Sequence, residues 1–396
     1  SDCLVGSEMC IRDRYIIKAM KLIFILTLTY ILVSSNNISA NENIENCSIK
    51  NVPSKERIFS KNFSGVFNGK RIDYIASLKE KIIYEKDNPR EPMASFFYTE
   101  YIVESDKNRP IIFSFNGGPG SASLWLHMGV LGPKVIKVPS DASDDGAAPF
   151  KIVDNKLSPL SDADLVFIDP IGTGYSRAIG CHEPEEFWGV SEDPKIIAEF
   201  IRRWINDNKR WNSPRFILGE SYGGIRGPLL VSELRSGSIT PIEVNGLLLV
   251  APASDYQYLV FHPGNNSPHY GFLPSYAATA YYHGKIETNK TLQEFYEDSK
   301  KFSLEVYGPA LLKGTRISDS EKSSVMKRYS EFTGLSLRFV EDFDMRVDPS
   351  SFRKELLRDE GYSVGRLDSR YKNSDYMAGG QYPCLLYTSP SPRDNR

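Results

Sequence analysis

The alternation of apolar and polar positions changes character along the chain. Residues 62–115 alternate in short runs, "GVFNGKRIDYIASLKEKIIYE" and then "MASFFYTEYIVES". This period predicts antiparallel strands, with turns at Asn68-Gly69 and around "KDNPREP". Four continuous apolar runs follow: "PIIFSF" (110–115), "ADLVFIDP" (163–170), "RFILG" (215–219) and "VNGLLLVAP" (244–252). Runs of this length predict buried strands. Between them, "EDPKIIAEFIRRWINDN" (192–208) sets Ile196, Ile197, Phe200, Ile201 and Trp204 at helical spacing. Helices alternating with buried strands predict a mostly parallel α/β sheet with antiparallel N-terminal strands. From about Ala253 the chain turns rich in Tyr, Pro and small residues, as in "FHPGNNSPHYGFLPSYAATAYYHGK". Helical and polar stretches continue to about residue 345, which predicts a mainly helical insertion capping the sheet. Asn41–Lys61 reads as polar and extended.

Composition changes this picture little. The 396 residues carry a net charge of −2, with 41% hydrophobic and 25% charged residues, as in ordinary globular proteins. No basic run interleaves with aromatics, so no nucleic-acid partner is expected. The N-terminal region adds more. Met20-Lys21, the apolar "LIFILTLTYILV" and the small-residue exit "SSNNISA" ending at Ala40 read as a cleaved signal peptide. Twelve apolar residues fall short of the ~20 that span a bilayer, so no stable membrane span is expected after cleavage. A secreted or periplasmic location follows.

Both ends look foreign. "LVGSEMCIRD" (4–13) and "LLYTSPSPR" (385–393) can be encoded by one DNA duplex read in opposite orientations. This resembles a sequencing adaptor translated by mistake. The expected divisions are adaptor-like sequence at 1–19, signal peptide at 20–40 and the first part of a core at 41–252. A helical cap at 253–370, the start of a return to the core at 371–383 and adaptor-like sequence at 384–396 complete them. Cys3, Cys10 and Cys384 fall in the foreign ends. Cys47 and Cys181 remain, free, paired together or paired elsewhere. No Cys/His run has ligand spacing, so neither metal nor cofactor is expected.

Two glycine-rich motifs carry the chemistry. "GESYGG" holds Gly219, Ser221 and Gly223 as G-x-S-x-G, between an apolar strand and the helical "YGGIRGPLLVSELRS". The pattern alone arises by chance in about one in seven chains of this length, so the strand–turn–helix setting carries the weight. A nucleophilic serine needs small neighbours there, because the turn is strained and a second chain comes close. "FNGGPGSAS" (115–123) also ends a predicted strand. Its glycines free backbone N–H groups to face a developing oxyanion. The donors would be Gly118 and Tyr222, the latter following the nucleophile.

Together "NGGPGSAS", "FIDPIGTGYS" and "GESYGG", in this order and at these separations, resemble the serine carboxypeptidase family of α/β-hydrolases over roughly residues 65–380. "WLHMGVLGP" (125–133) and "FWGVSEDPKIIAEFIRRW" (187–204) look most like its bacterial branch. The resemblance implies an exopeptidase that trims peptides with a free C-terminus through an acyl-enzyme on Ser221. It assigns binding of the substrate carboxylate to Asn116 and Glu220. That role requires Glu220 protonated, since two bare carboxylates repel. The family's eukaryotic members pair this Glu with a second one fourteen residues after the motif's Asn, where this chain has Val130. The motif's usual cysteine is Ser121 here.

The base is missing. In this fold the triad runs Ser, acid, His, with acid and His beyond the cap. The chain's five histidines end at His283, with His262 and His269 also in or near the cap's start, and His127 and His182 before the serine. No acid after the cap begins, Asp342 and Asp344 included, follows a strand with a suitable turn. The expectation is that the record stops before the catalytic Asp and His, leaving this chain with little activity. An esterase or acyltransferase on the same fold, or a non-catalytic binding protein, are the alternatives.

Overall fold

The computed structural model describes residues 52–374, apart from 105–107, 144–148 and 238–239. The adaptor-like ends, the signal peptide, Cys47 and Cys384 lie outside the described residues.

The N-terminal strands form as their alternation predicts, but the first begins earlier, inside the segment read as extended. Strands β1 (Ile58–Phe67) and β2 (Lys70–Tyr84) pair antiparallel through Phe67 and Lys70. The two residues between them, Asn68 (φ 49°) and Gly69 (φ 78°), are both left-handed. That is the tight turn whose twist matches paired strands, and Asn-Gly adopts it at least cost. Strand β3 (Pro92–Ile102) continues the meander.

The strands that follow are β4 (Ile111–Phe115), the β5 (Lys134–Ile136) and β6 (Ile152–Asp154) pair, β7 (Asp164–Ile168), β8 (Arg177–Ala178), β9 (Arg215–Glu220) and β10 (Gly246–Val250). The eight-stranded sheet runs β1-β2-β3-β7-β4-β9-β10, with β8 on β3. Strands β7, β4, β9 and β10 are mutually parallel, and β3, the last strand of the antiparallel meander, joins β7 antiparallel. This mixed sheet is the α/β-hydrolase architecture expected.

Counting helices from the short turn α1 (Leu124–Leu126), helix α2 (Glu192–Asp207) packs on the sheet. All five apolar residues singled out on it are buried. Trp204 meets Phe113 edge-on at 5.3 Å, and Phe200 meets Phe96 at 5.1 Å. The indole N–H of Trp204 donates to the buried Glu100 at 2.8 Å, which satisfies both groups away from water.

Strand β10 corrects the sequence reading. Its apolar run predicts burial, yet Leu247, Leu248, Leu249 and Val250 are each 38–42% exposed. Consecutive residues point to opposite faces, so both faces stay partly open. Among the described residues β10 ends the sheet, and it pairs only with β9.

After helix α3 (Gly223–Ser236), the chain becomes helical again in α4 (Ser267–Tyr282) and α5 (Leu292–Phe302). It continues through α6 (Gly308–Lys313), α7 (Asp319–Thr333), α8 (Leu337–Asp342) and α9 (Pro349–Glu355), ten residues beyond the predicted limit near 345. These helices share a second aromatic core. Tyr276 stacks on Phe352 at 4.1 Å, and Tyr307 lies 5.2 Å from Tyr329. The Tyr307 hydroxyl donates to the Met345 carbonyl at 2.5 Å. The chain then returns through a short pair, β11 (Ser363–Val364) and β12 (Lys372–Asn373). Tyr371 and Arg370 tie this segment across to the carbonyls of Pro139 and Ser140. No helix among the described residues is long and apolar enough to cross a membrane.

Candidate active site

Adjacent parallel strands β4 and β9 pair Phe115 with Gly219, so the residues that follow them emerge side by side at the same sheet edge. In open α/β sheets that edge is where ligands bind. The two glycine motifs, a hundred residues apart in sequence, meet there. Ser221 sits at φ 57°, a left-handed conformation costly for a residue with a Cβ. Hydrogen bonds hold it in place. Its N–H donates to Val250 O at 3.0 Å, and its carbonyl accepts from Gly224 and Ala253, both at 2.8 Å.

The approach is too close for side chains. A Cβ on Gly117 would stand 2.4 Å from the Tyr222 nitrogen, and one on Gly219 would stand 2.6 Å from the Gly223 carbonyl oxygen. These contacts are the structural reason for glycine at both positions. Gly118, at φ 108°, lines the same cleft as Ser221. The Tyr222 nitrogen lies against the loop at Gly117.

Asn116 and Glu220 are in contact. The Asn116 amide donates to Glu220 Oε2 at 3.0 Å, and the Gly117 N–H approaches the same oxygen at 3.3 Å. Asn116 is fully buried, and its Oδ1 accepts the Leu126 N–H at 3.1 Å. Its carbonyl accepts from Arg226 Nη1 at 2.6 Å, and Arg226 Nε donates to Asp193 at 2.6 Å. The guanidinium also sits 5.3 Å and 5.2 Å from the Phe115 and Tyr222 rings. This Arg226–Asp193 clamp links helices α2 and α3 to the site. Sequence reading missed it; "GIRGP" carries no motif, and Asp193 is just one acid in a helix's first turn.

The cleft has a volume of about 1130 Å³. Trp125, Met128, Val130 and Trp188 form an apolar wall, and Arg366 and Asp368 line it from the returning segment. Val130, 54% exposed, therefore faces the cleft in place of the second carboxyl that the resemblance leads one to expect. Arg370, also at the cleft, is already paired with Asp368 at 2.6 Å.

All five histidines of the chain are described, and none lines the cleft. His127 meets the Tyr101 hydroxyl at 2.6 Å and His182 meets Glu186 at 2.9 Å. His262 bonds Pro263 O, His283 bonds Ser369 O, and His269 packs edge-on against Phe261. Cys181 is disulfide-bonded.

Two titrating groups flank the glycine loop. The Ser123 N–H donates to Asp169 at 2.8 Å, and its hydroxyl donates to Ile168 O. Burial lifts the Asp169 carboxyl to about 6 from 3.8, against the opposing Ser123 hydrogen bond. His127, stacked on Phe167 at 4.6 Å, is lowered by burial to about 4 from 6.5.

The signs oppose. Between about 6.5 and 4 the unfolded chain binds a proton at His127 that the folded chain refuses, so stability falls as pH falls. Between about 6 and 4 the folded chain binds a proton at Asp169 that the unfolded chain lacks, so stability rises as pH falls. Each is worth about 3 kcal/mol at full extent, and the two nearly cancel. Going from pH 7 to 4.5, His127→Asn should therefore gain about 2–3 kcal/mol of stability relative to the parent. Asp169→Asn should lose about 2 kcal/mol over the same interval. Urea unfolding at both pH values reads this, and parallel pH dependences for all three proteins would refute it.

The sequence pattern of the serine carboxypeptidase family matches residues 83–375. Serine carboxypeptidase-like 9 of Arabidopsis thaliana is 28% identical over 207 residues, which are 49% of this chain and 45% of that protein. Serine carboxypeptidase-like 2 of the same plant is 30% identical over 177 residues, covering 42% and 38%. The chain thus spans less than half the length of these curated relatives. The crystal structure of Kex1Δp, a prohormone-processing carboxypeptidase from Saccharomyces cerevisiae, aligns at 18% identity and a TM-score of 0.38, over 65% of this chain and 53% of that one. The family match extends over most of the chain and takes in both strand-end motifs, so the chain belongs to the serine carboxypeptidase family.

Proposed function

We propose that this chain carries the nucleophile and the substrate-carboxylate site of a serine carboxypeptidase that releases C-terminal residues from peptides. The observation that carries the reading is the strained Ser221 set directly beside the Asn116–Glu220 hydrogen bond. Ser221 Oγ would attack the carbonyl carbon of the last peptide bond. The oxyanion would be received by the N–H groups of Gly118 and Tyr222. The leaving amine takes the proton, and water then cleaves the acyl-serine ester. Glu220, whose Oε2 accepts from Asn116 and Gly117, would stand with Asn116 against the substrate carboxylate. The histidine that takes the Ser221 proton is none of this chain's five, so we assign it and its acid to polypeptide outside this sequence. The open β10 edge supports that assignment.

In this reading residues 41–252 are the first part of the core, 253–370 the cap, and 371–383 the start of a return to the core. The Met20–Ala40 stretch supports export. Val130 favours one second reading, an esterase or acyltransferase, because the cleft wall lacks a second carboxyl there. A binding role without catalysis is the third, and a genuine end to the gene without a further histidine would mark it.

The test compares a peptide with its C-terminal amide, using a protein that also carries the assigned histidine and acid. A carboxylate-reading site gains charge-assisted hydrogen bonds worth roughly 10–100-fold in kcat/KM for the free acid. Glu220→Ala should erase that preference. Equal rates for acid and amide in the parent would move the assignment to the esterase reading.

A further inference from the structure

We infer that Glu85, Glu91 and His182 form a binding site for a divalent transition-metal ion, with zinc the best chemical fit. One ligand atom from each lies within 4.8 Å of the others. None of the three lines the cleft around Ser221, so the site is separate from the proposed chemistry.

The fold builds the group from two segments. Glu85 and Glu91 flank the β2–β3 turn. The Glu85 N–H donates to Glu91 O at 2.9 Å, and the Glu91 N–H donates to Asn88 O at 2.9 Å, which fixes both backbones. The Asn88 amide donates to Glu91 Oε2 at 3.1 Å and orients that carboxylate. The second segment arrives through β8, which pairs with Ala94 and Ser95 of β3. Ile179 N–H donates to Met93 O at 3.1 Å. Gly180 then turns the chain at φ 69°, so close that a Cβ would lie 2.2 Å from Pro92 O. The chain is thereby delivered to His182 beside the turn.

The geometry suits a metal. His182 Nε2 stands 3.2 Å from Glu85 Oε1. Two ligands of a tetrahedral ion bonded at about 2.0–2.1 Å are separated by about 3.3–3.4 Å. On the far side of the ring, Nδ1 faces Glu186 Oε2 at 2.9 Å. A carboxylate there holds the proton on Nδ1, leaves the Nε2 lone pair for a metal and orients the ring. Glu186 is itself fixed, since its Oε1 accepts the Glu183 N–H at 2.8 Å. Nε2 is buried and makes no well-formed hydrogen bond among the described residues. Three carboxylates around one imidazole give the group an excess of negative charge that a dication would offset. One nitrogen and two carboxylates, with room for water, suit zinc better than calcium, which prefers oxygen alone.

Such an ion would tie the β2–β3 turn to residues 179–188, whose last member, Trp188, forms part of the cleft wall. The competing account is an imidazolium paired with Glu85 and Glu186, without a metal. Titrating the chelator-stripped, desalted chain with Zn²⁺ against a chromophoric chelator separates them. We expect one equivalent bound at this site, a rise in Tm on binding, and at least a 100-fold loss of affinity in His182→Ala. Glu186→Gln should weaken binding by about 10–100-fold, because the metal-bound imidazole loses its orienting partner. The cysteines outside the described residues make the variants the deciding comparison. If His182→Ala fails to fold by circular dichroism, Glu85→Gln/Glu91→Gln, at half-exposed positions, decides instead. No zinc uptake by the parent, or uptake unchanged in the folded variants, overturns the proposal in favour of the ion pair.

Discussion

Replacing Ser221 with alanine is expected to lower kcat for a peptide with a free C-terminus by about 10⁴–10⁶-fold in a protein that carries the proposed base. KM should change little, because the proposed recognition of the carboxylate is by Asn116 and Glu220, whose contact does not involve the serine side chain. The size follows from the chemistry. Without the hydroxyl no acyl-enzyme can form, and only oxyanion stabilisation and positioning survive. The variant should also fold normally, since removing Oγ relieves none of the backbone strain at φ 57° and breaks no hydrogen bond that holds the turn. A fluorophosphonate provides a second reading. It should label a protein that carries the proposed base at Ser221 and leave its Ser221→Ala variant unlabelled. This chain alone should label far more slowly, because none of its five histidines reaches the cleft. Rapid labelling of this chain at Ser221 would mean that a base is already present and would sink the assignment of the base to other polypeptide.

Gly117→Ala is expected to cost about 3 kcal/mol of stability or more, and to disorder the nucleophile turn with it. Its Cβ would lie 2.4 Å from the Tyr222 nitrogen, 2.6 Å from the Glu220 carbonyl oxygen and 2.8 Å from Ser221 Cβ. Two of these three are backbone atoms, so no rotamer change relieves the contact. The strands on either side are hydrogen-bonded and buried, so separating them breaks the β4–β9 ladder. Gly129→Ala is the control. Its Cβ meets nothing within 4 Å and its φ is not positive, so stability should stay within about 0.5 kcal/mol of the parent. Urea midpoints of the two variants measure the difference. Equal midpoints would mean that the loop gives way freely and that the glycine is not required for the close approach.

The sequence by itself determined what depends on neighbours in the chain. Asn68-Gly69 announces a tight turn because both residues tolerate positive φ at low cost. Helix α2 is legible because Ile196, Phe200 and Trp204 recur at the helical period. The place of Ser221 follows from a strand–turn–helix pattern within a dozen residues. Whatever depends on contacts across long stretches of chain was decided only by the tertiary structure. An apolar run looks alike in an interior strand and a partly open one, so the exposure of β10 was hidden. The clamp of Arg226 on Asn116 and Asp193 joins three segments, and no local period records it. The same holds for the lowered His127, whose environment is set by Tyr101 and Phe167 from other strands. Glu85 and Glu91 meet His182 only because β8 pairs with β3. Periodicity and turn chemistry act over a few residues, whereas burial, charge pairing and ligand geometry are properties of three-dimensional packing.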